Sequence, residues 1–366
     1  MKTANSREML TIVIPTRNRP HFLPRLLSYY RERAFAPKIV FADSSDSESI
    51  DRNKEVIAAI GSTLKIEHRL YDSEVSYVSK ITDSLGTIKT PFTALGADDD
   101  FFVPAGLERA VRFLTEHSDY VLAHGEAVAF ELESGAVFGR ITRVNQYNQR
   151  SIEEPTSTAR LHNHFGNYST TYYSVHRTDQ LHENFVKRIK TKTDLAFGEL
   201  VPTGLSVIQG KARKLDGLYM ARQNFAAKEY EVLDMLDWVA TPGWGEQYER
   251  FRDCLAEELY NSEGVERREA RETIKRTFSA YLGSVLNPPQ PGAIGEVNVR
   301  SITRKIPGAR TVWRGLRSLN PKLNGEINLP ALLRPSSIYH TEFMPIYRAI
   351  TKPPEDLTAA LGERSE

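Results

Sequence analysis

The chain has one cysteine in 366 residues, Cys254, so no intramolecular disulfide framework holds it together. With no secretory leader evident, that scarcity predicts a cytoplasmic protein in a reducing environment. Uninterrupted apolar runs of the roughly 20 residues that a spanning helix needs are also missing, which leaves peripheral contact as the membrane role still open. Neither charge is in excess. Against 48 Lys and Arg stand 47 Asp and Glu, so no global field favours nucleic acid or an acidic partner, and no nucleic-acid partner is expected. No GxGxxG or GxxxxGK[ST] follows a strand-like run, which excludes the dinucleotide fingerprint and the P-loop as phosphate cradles.

What the sequence does contain is alternation. "LTIVIP" (Leu10 to Pro15) is a short β-branched run closed by proline, and Leu23, Leu26, Leu27 and Tyr30 then recur at helical spacing. "KIVFAD" (Lys38 to Asp43), a helical stretch near Ile50 to Ile60, "LKIEHRLY", a helix from Tyr77 to Lys89 and "FTALGADD" continue the pattern. Strands alternating with helices predict a three-layer α/β domain with a mainly parallel sheet, whose ligands sit at the carboxyl ends of the strands. Pro15 and Thr16, Asp43, and Asp98 to Asp100 all fall on that edge. Further on, "GLERAVRFLTEH" reads as a helix and residues 120–144 as antiparallel strands around a Ser134-Gly135 turn. Leu195 to Leu200 reads as a helix, "LSVIQGKARKLDGLYMARQ" as a hairpin turning at Gly210 and Lys211, and residues 246–283 as charged helix. "NPPQPG" (Asn287 to Gly292) marks a boundary. The expected division is a main domain over 1–245 with halves meeting near 110, a helical segment over 246–286, and a Pro-rich linker and basic extension over 287–366.

Three adjacent carboxylates, Asp98, Asp99 and Asp100, repel one another unless something compensates. An acidic run in a loop is ordinarily just solvated. This one ends an apolar strand at the ligand edge, where hard carboxylate oxygens suit Mg²⁺ or Mn²⁺, ions that also bind substrate phosphates. The expected compensating charge is such an ion with a bound diphosphate.

At these residues the chain resembles the family-2 glycosyltransferases with the GT-A fold: "TIVIPTRNRP" matches their first strand and loop, "VFADSSD" their second strand, and "GADDDF" their DXD motif. The match covers about residues 10 to 110. "RLHNHF", "TTYYSVHRT", "FGEL" and "GKARKLDGLYMARQ" are similar to a bacterial glycosyltransferase-domain subgroup and extend the likeness to about residue 225. The resemblance implies a GT-A type, Rossmann-like three-layer sandwich with a helical C-terminal extension. It implies metal-dependent, inverting transfer of a sugar from a nucleotide-diphosphate sugar to a hydroxyl of a glycan or lipid-linked acceptor, in bacterial surface-glycan or glycoconjugate synthesis.

The same resemblance implies roles. Pro15, Thr16 and Arg17 would flank the base and ribose, with Asp43 accepting from the base or else capping the next helix. Lys80 would be a basic nucleotide contact or a solvated helix lysine. Within the triplet one Asp would touch the ribose and another the metal, the pair being Asp98-Asp99 or Asp98-x-Asp100. The catalytic base would be Glu199, preceded by Gly198 but followed by Leu200 where the family carries Asp, or else Asp194; a surface glutamate is the plain alternative. Lys211, Arg213, Arg222 and Gln223 would reach the diphosphate from above, or simply form an exposed hairpin. His162 and His164, two apart, would share a strand face, with His164 as an acceptor contact, a metal ligand or a structural residue. Tyr168, Tyr172 and Tyr173 would stack an acceptor sugar or fill core.

Rival classes are a phosphohydrolase, whose DxDx[TV] motif needs Thr or Val where Phe102 stands, a nucleotidyltransferase, and a binding protein that has lost turnover. Last, Arg300 to Lys322 holds seven basic residues and no acidic one, with Val312, Leu316 and Leu319 at helical spacing. That pattern suits an interfacial helix on the inner membrane, bringing the catalyst to a lipid-linked acceptor, or a tail packed on the acidic helices of 246–283.

Overall fold

The computed structural model of the protein describes residues 8–60, 63–133, 137–224, 234–286 and 327–353. The chain opens as β1 (Leu10–Thr16), α1 (Leu23–Glu32), β2 (Lys38–Asp43), α2 (Ser47–Ile60), β3 (Ile66–Leu70), α3 (Tyr77–Thr87) and β4 (Phe92–Leu95). These four strands pair in parallel in the order β3-β2-β1-β4. Their β-branched runs divide between two faces as the strand period requires. Ile12, Ile14, Ile39 and Phe41 enter a core with α1 and α2, while Val13, Val40 and Leu95 meet Val78, Ile81 and Leu85 of α3 on the other side. Pro24 sits in the first turn of α1, where a missing N–H costs nothing, and Ser76 caps α3 by accepting from Ser79 N at 3.1 Å.

The second half is mixed. After β5 (Phe101–Phe102) and α4 (Pro104–Glu116) come β6 (Tyr120–Leu132), β7 (Ile141–Tyr147), α5 (Ser157–Gly166), β8 (Val175–Arg177), α6 (Thr178–Thr191), α7 (Leu195–Gln209) and β9 (Lys211–Asn224). They extend the sheet as β4-β8-β6-β9-β5, with β7 paired to β6. The result is an α/β fold, layered helix on sheet on helix, with a parallel first half. β6 and β7 are antiparallel, as the alternation predicts; the Ser134-Gly135 turn itself lies outside the described residues.

Two expectations need correction. The segment around Gly210 is no hairpin: α7 runs to Gln209, and β9 then pairs parallel with β6. "RLHNHF" lies on α5 and not on a strand, so His162 and His164 do not share a face.

α8 (Met235–Val239), α9 (Trp244–Glu263) and α10 (Arg267–Leu286) cover α5 and α7 through a second core that includes Phe165, Phe197, Phe251 and Phe278. α11 (Leu329–Leu332) and α12 (His340–Thr351) return to the first core, where Leu332, Phe343, Ile346 and Ile350 are buried with Leu10 and Ile12. On α12, Glu342 accepts from Leu218 N at 2.7 Å and from Arg109 at 2.9 Å, which ties this last helix to β9. The "NPPQPG" boundary and the basic stretch 300–322 lie outside the described residues. No described helix is long and apolar enough to cross a membrane.

Candidate active site

β1 and β4 are neighbours, yet the chain proceeds from them toward opposite edges of the sheet, the arrangement that opens a crevice at strand carboxyl ends. There Thr16 Oγ1 donates to Asp98 Oδ2 at 2.7 Å. All three carboxylates of the triplet are buried, and each is met by a guanidinium. Arg19 lies 3.1 Å from Asp98 Oδ1 and 2.6 Å from Asp99 Oδ2. Arg222 Nε donates to Asp100 Oδ2 at 3.0 Å, and Gln223 N donates to Asp100 Oδ1 at the same distance. Arg25, 1% exposed, donates to Asp99 O and Gln223 Oε1, both at 2.7 Å, with its guanidinium 5.0 Å from the Phe101 ring centroid. Arg19 and Arg222 thus pair with the three carboxylates, and Arg25 holds the Asp99 main-chain carbonyl behind them. Burial pushes Asp98 up to about 7 and Asp100 up to about 6, with Arg19 and Arg222 pulling each back.

The triplet can be tested as a metal site. Asp100 has both oxygens committed to Arg222 and Gln223. Asp98 Oδ1 is buried beside Asp99 and accepts no well-formed hydrogen bond among the described residues, its neighbour being the Arg19 guanidinium at 3.1 Å, which a cation would have to displace. No group of three or more His, Cys, Asp or Glu side chains among the described residues could hold a metal by itself. The donor set therefore fits a hard cation held by one or two carboxylates and otherwise by phosphate and water, as Mg²⁺ commonly is.

The remaining sequence-chosen residues divide. Pro15 is half-buried and Arg17 exposed at the same edge. Asp43, 0% exposed, accepts from Ser45 N, Asn53 Nδ2 and His68 Nε2 at 2.8 to 2.9 Å, while Asp46 caps α2 by accepting from Ser49 N. Lys80 is no solvated lysine: it is buried and donates to Thr16 O at 2.7 Å and Ser44 Oγ at 2.8 Å, joining the ends of β1 and β2, and burial lowers its pKa to about 8.

Next to the triplet lies a pocket of about 270 Å³ lined by Tyr77, Tyr147, Tyr172, Tyr173, Arg188, Leu195, Gly198, Glu199 and Arg222. Arg222 joins the two regions, since it also donates to the Tyr147 and Tyr173 hydroxyls at 2.7 and 3.0 Å. Glu199 is exposed there and accepts from Tyr168 Oη at 2.6 Å. Burial and the Glu199 carboxylate hold the Tyr168 hydroxyl well above its ordinary pKa, so it is a donor.

Four residues do not join this arrangement as expected. Asp194 is the N-cap of α7, with one oxygen on Phe197 N and the other on Trp238 Nε1, which leaves no oxygen poised for a proton. Lys211 pairs with Asp119 at the far end of β9 from Arg222. Arg213, beside it, pairs with Glu153. His164 is 1% exposed, beneath Tyr168 with ring centroids 5.1 Å apart, so it cannot touch an acceptor. Sequence reasoning missed Arg19, Arg25, Arg188, Tyr77 and Tyr147. For the first two a signal existed: a triplet of buried acids demands cations, and Arg19 and Arg25 lie in the loop and helix that follow β1.

No protein-family model matches the sequence, and no curated protein sequence does. Among solved structures, S. aureus TarS 1-349 in complex with UDP-GlcNAc is 13% identical, covering 98% of this chain and 93% of that one with a TM-score of 0.48. S. aureus TarS 1-349 without that ligand scores 0.47 at the same identity and coverage. The structure titled S. aureus TarS scores 0.46 at 14% identity, covering 96% of this chain and 50% of that one. At such identities and scores the likeness assigns this chain neither an activity nor a substrate.

Proposed function

We propose that the protein is a glycosyltransferase that moves a sugar from a nucleotide-diphosphate donor to an acceptor hydroxyl with inversion. One observation carries the reading: the acidic edge at the sheet's switch point opens, through Arg222, into a tyrosine-lined pocket that presents Glu199. In this reading Pro15, Thr16 and Arg17 border the nucleotide. Asp43 and Lys80 act at one remove, by fixing the ends of β1 and β2. Asp98 and Asp99 would hold Mg²⁺ or Mn²⁺, and Asp100 orients Arg222 and Gln223. A bound divalent ion would neutralise charge gathering on the leaving diphosphate. The acceptor oxygen bonds to the anomeric carbon as the bond to the diphosphate oxygen breaks. The electron pair leaves with the diphosphate, and Glu199, oriented by Tyr168, takes the hydroxyl proton. The acceptor is a glycan or lipid-linked sugar, and residues 300–322 would bring the protein to the inner membrane.

The test begins with a panel of nucleotide sugars assayed for nucleoside diphosphate release, with and without chelator. On the active donor, Glu199→Gln should keep donor affinity and lose on the order of 10² to 10⁴ in transfer rate. A near-normal rate removes Glu199 from the role, and retained anomeric configuration in the product contradicts a single displacement.

A further inference from the structure

Arg188 on α6 is the cation of the pocket that makes no salt bridge among the described residues, the Asp194 carboxylate acting on it only at longer range. It is 8% exposed, and its bonds go to neutral carbonyls: Nε donates to Gly198 O at 3.1 Å and NH2 to Asp194 O at 3.5 Å. The Asp194 carboxylate is turned away, onto Phe197 N and Trp238 Nε1. Arg222, across the pocket, is paired with Asp100, and the adjacent Lys187 is paired with Glu183 and Glu258. A buried charge without a counter-charge is costly, and a fold that keeps one at a pocket wall is arranged for an anion that arrives with a ligand.

The seat for Arg188 is built in. A Cβ on Gly198 would lie 1.9 Å from Arg188 NH2 and 2.5 Å from its Cζ, so only glycine at that turn of α7 lets the guanidinium reach the pocket. Glu199 is the next residue, and Tyr77, hydrogen-bonded to Tyr172 at 2.9 Å, lines the same pocket.

We propose that Arg188, seated by Gly198, binds an anionic group of the acceptor, so that the acceptor is a phosphorylated or carboxylated sugar whose reacting hydroxyl lies at Glu199. The proposal rests on the glycosyltransferase reading. It commits to the acceptor because Arg188 stands beside Glu199, whereas the leaving diphosphate belongs at the Asp98-Asp99 edge. A volume of about 270 Å³ has room for roughly one sugar unit with its charged substituent.

Calorimetric titration of the full chain with glucose, glucose 6-phosphate, glucuronate and UDP tests this. Wild type should bind at least one of the two anionic sugars and bind glucose far more weakly. Arg188→Gln should weaken the anionic sugar roughly 10- to 150-fold, the worth of a charge-assisted hydrogen bond, and keep its UDP affinity. Gly198→Ala should do the same while retaining the arginine and favouring the helix, which covers the case in which Arg188→Gln does not fold. Equal binding of glucose and the anionic sugars, or unchanged anion binding in both variants, overturns the proposal. A loss of UDP affinity in place of sugar affinity overturns it too, by giving Arg188 to the donor diphosphate. Anion binding at Arg188 in a protein that turns over no nucleotide sugar refutes the transferase reading, and the acceptor assignment with it, while leaving the anion site standing.

Discussion

Arg25→Met tests whether the acidic triplet is held by arginine. The side chain is 1% exposed and gives hydrogen bonds to Val137 O, Gln223 Oε1 and Asp99 O. Methionine fills much of the same space between Phe22 and Phe101, so the cavity contribution is small and two losses dominate. Three buried acceptors lose a donor, and the triplet, with Asp98 and Asp100 already raised by burial, loses one of the three cations that favour its ionised form. Removing one member of a buried ionic cluster costs about 3–5 kcal/mol. Urea unfolding followed by circular dichroism should show that loss as a lower midpoint. The same substitution in an Asp99→Asn background should cost at least about 1 kcal/mol less, because neighbouring charges couple. A single-variant cost below about 1 kcal/mol, or strict additivity in the double variant, would refute the charge-balance argument.

Two further outcomes concern pH. Against burial, which raises it, hydrogen bonds from His68, Ser45 and Asn53 hold the Asp43 carboxyl down to about 2 from 3.8. A carboxyl lowered on folding stabilises above its unfolded pKa and loses that effect as pH falls through the folded one. The stability gap between wild type and Asp43→Asn should therefore narrow by about 2 kcal/mol between pH 6 and pH 2, and a constant gap refutes the assignment. Burial lowers His164 to about 3, and its ring nitrogens lack partners among the described residues. Its stabilising effect is complete above about pH 6.5 and declines as pH falls, so wild type should lose about 1.4 kcal/mol per pH unit more than His164→Leu between pH 6 and pH 4. Parallel stability curves for the two proteins contradict this.

The parallel half of the fold was legible because each strand is a short β-branched run and each helix carries a 3.6-residue stripe; both are local signals. The α7–β9 junction was not. α7 buries nearly every residue from Phe197 to Ile208, so it has no polar face to reveal a helical period, and its Val207-Ile208 end looks like strand. The ligand edge was legible at Thr16, which ends β1, and at Asp98, three residues beyond the end of β4. Arg188 was not, because its meaning depends on a glycine ten positions later and on the lack of a salt-bridge partner among the described residues. Lys211 misled for the opposite reason: β9 is 14 residues long, so residues that read as one basic cluster stand at opposite ends of a strand.

The return of α11 and α12 to the first core bears on how the chain is made. Leu10 and Ile12 emerge from the ribosome more than 300 residues before Leu332, Phe343, Ile346 and Ile350, which pack in the same core. The parallel half therefore cannot complete its packing until residues 329–351 have been made, however early its strands pair. Its apolar face on α1 stays uncovered until then, the interval in which a long α/β chain is most exposed to aggregation. A chain stalled or cleaved before residue 327 leaves β9 without the Glu342 anchor and that core open.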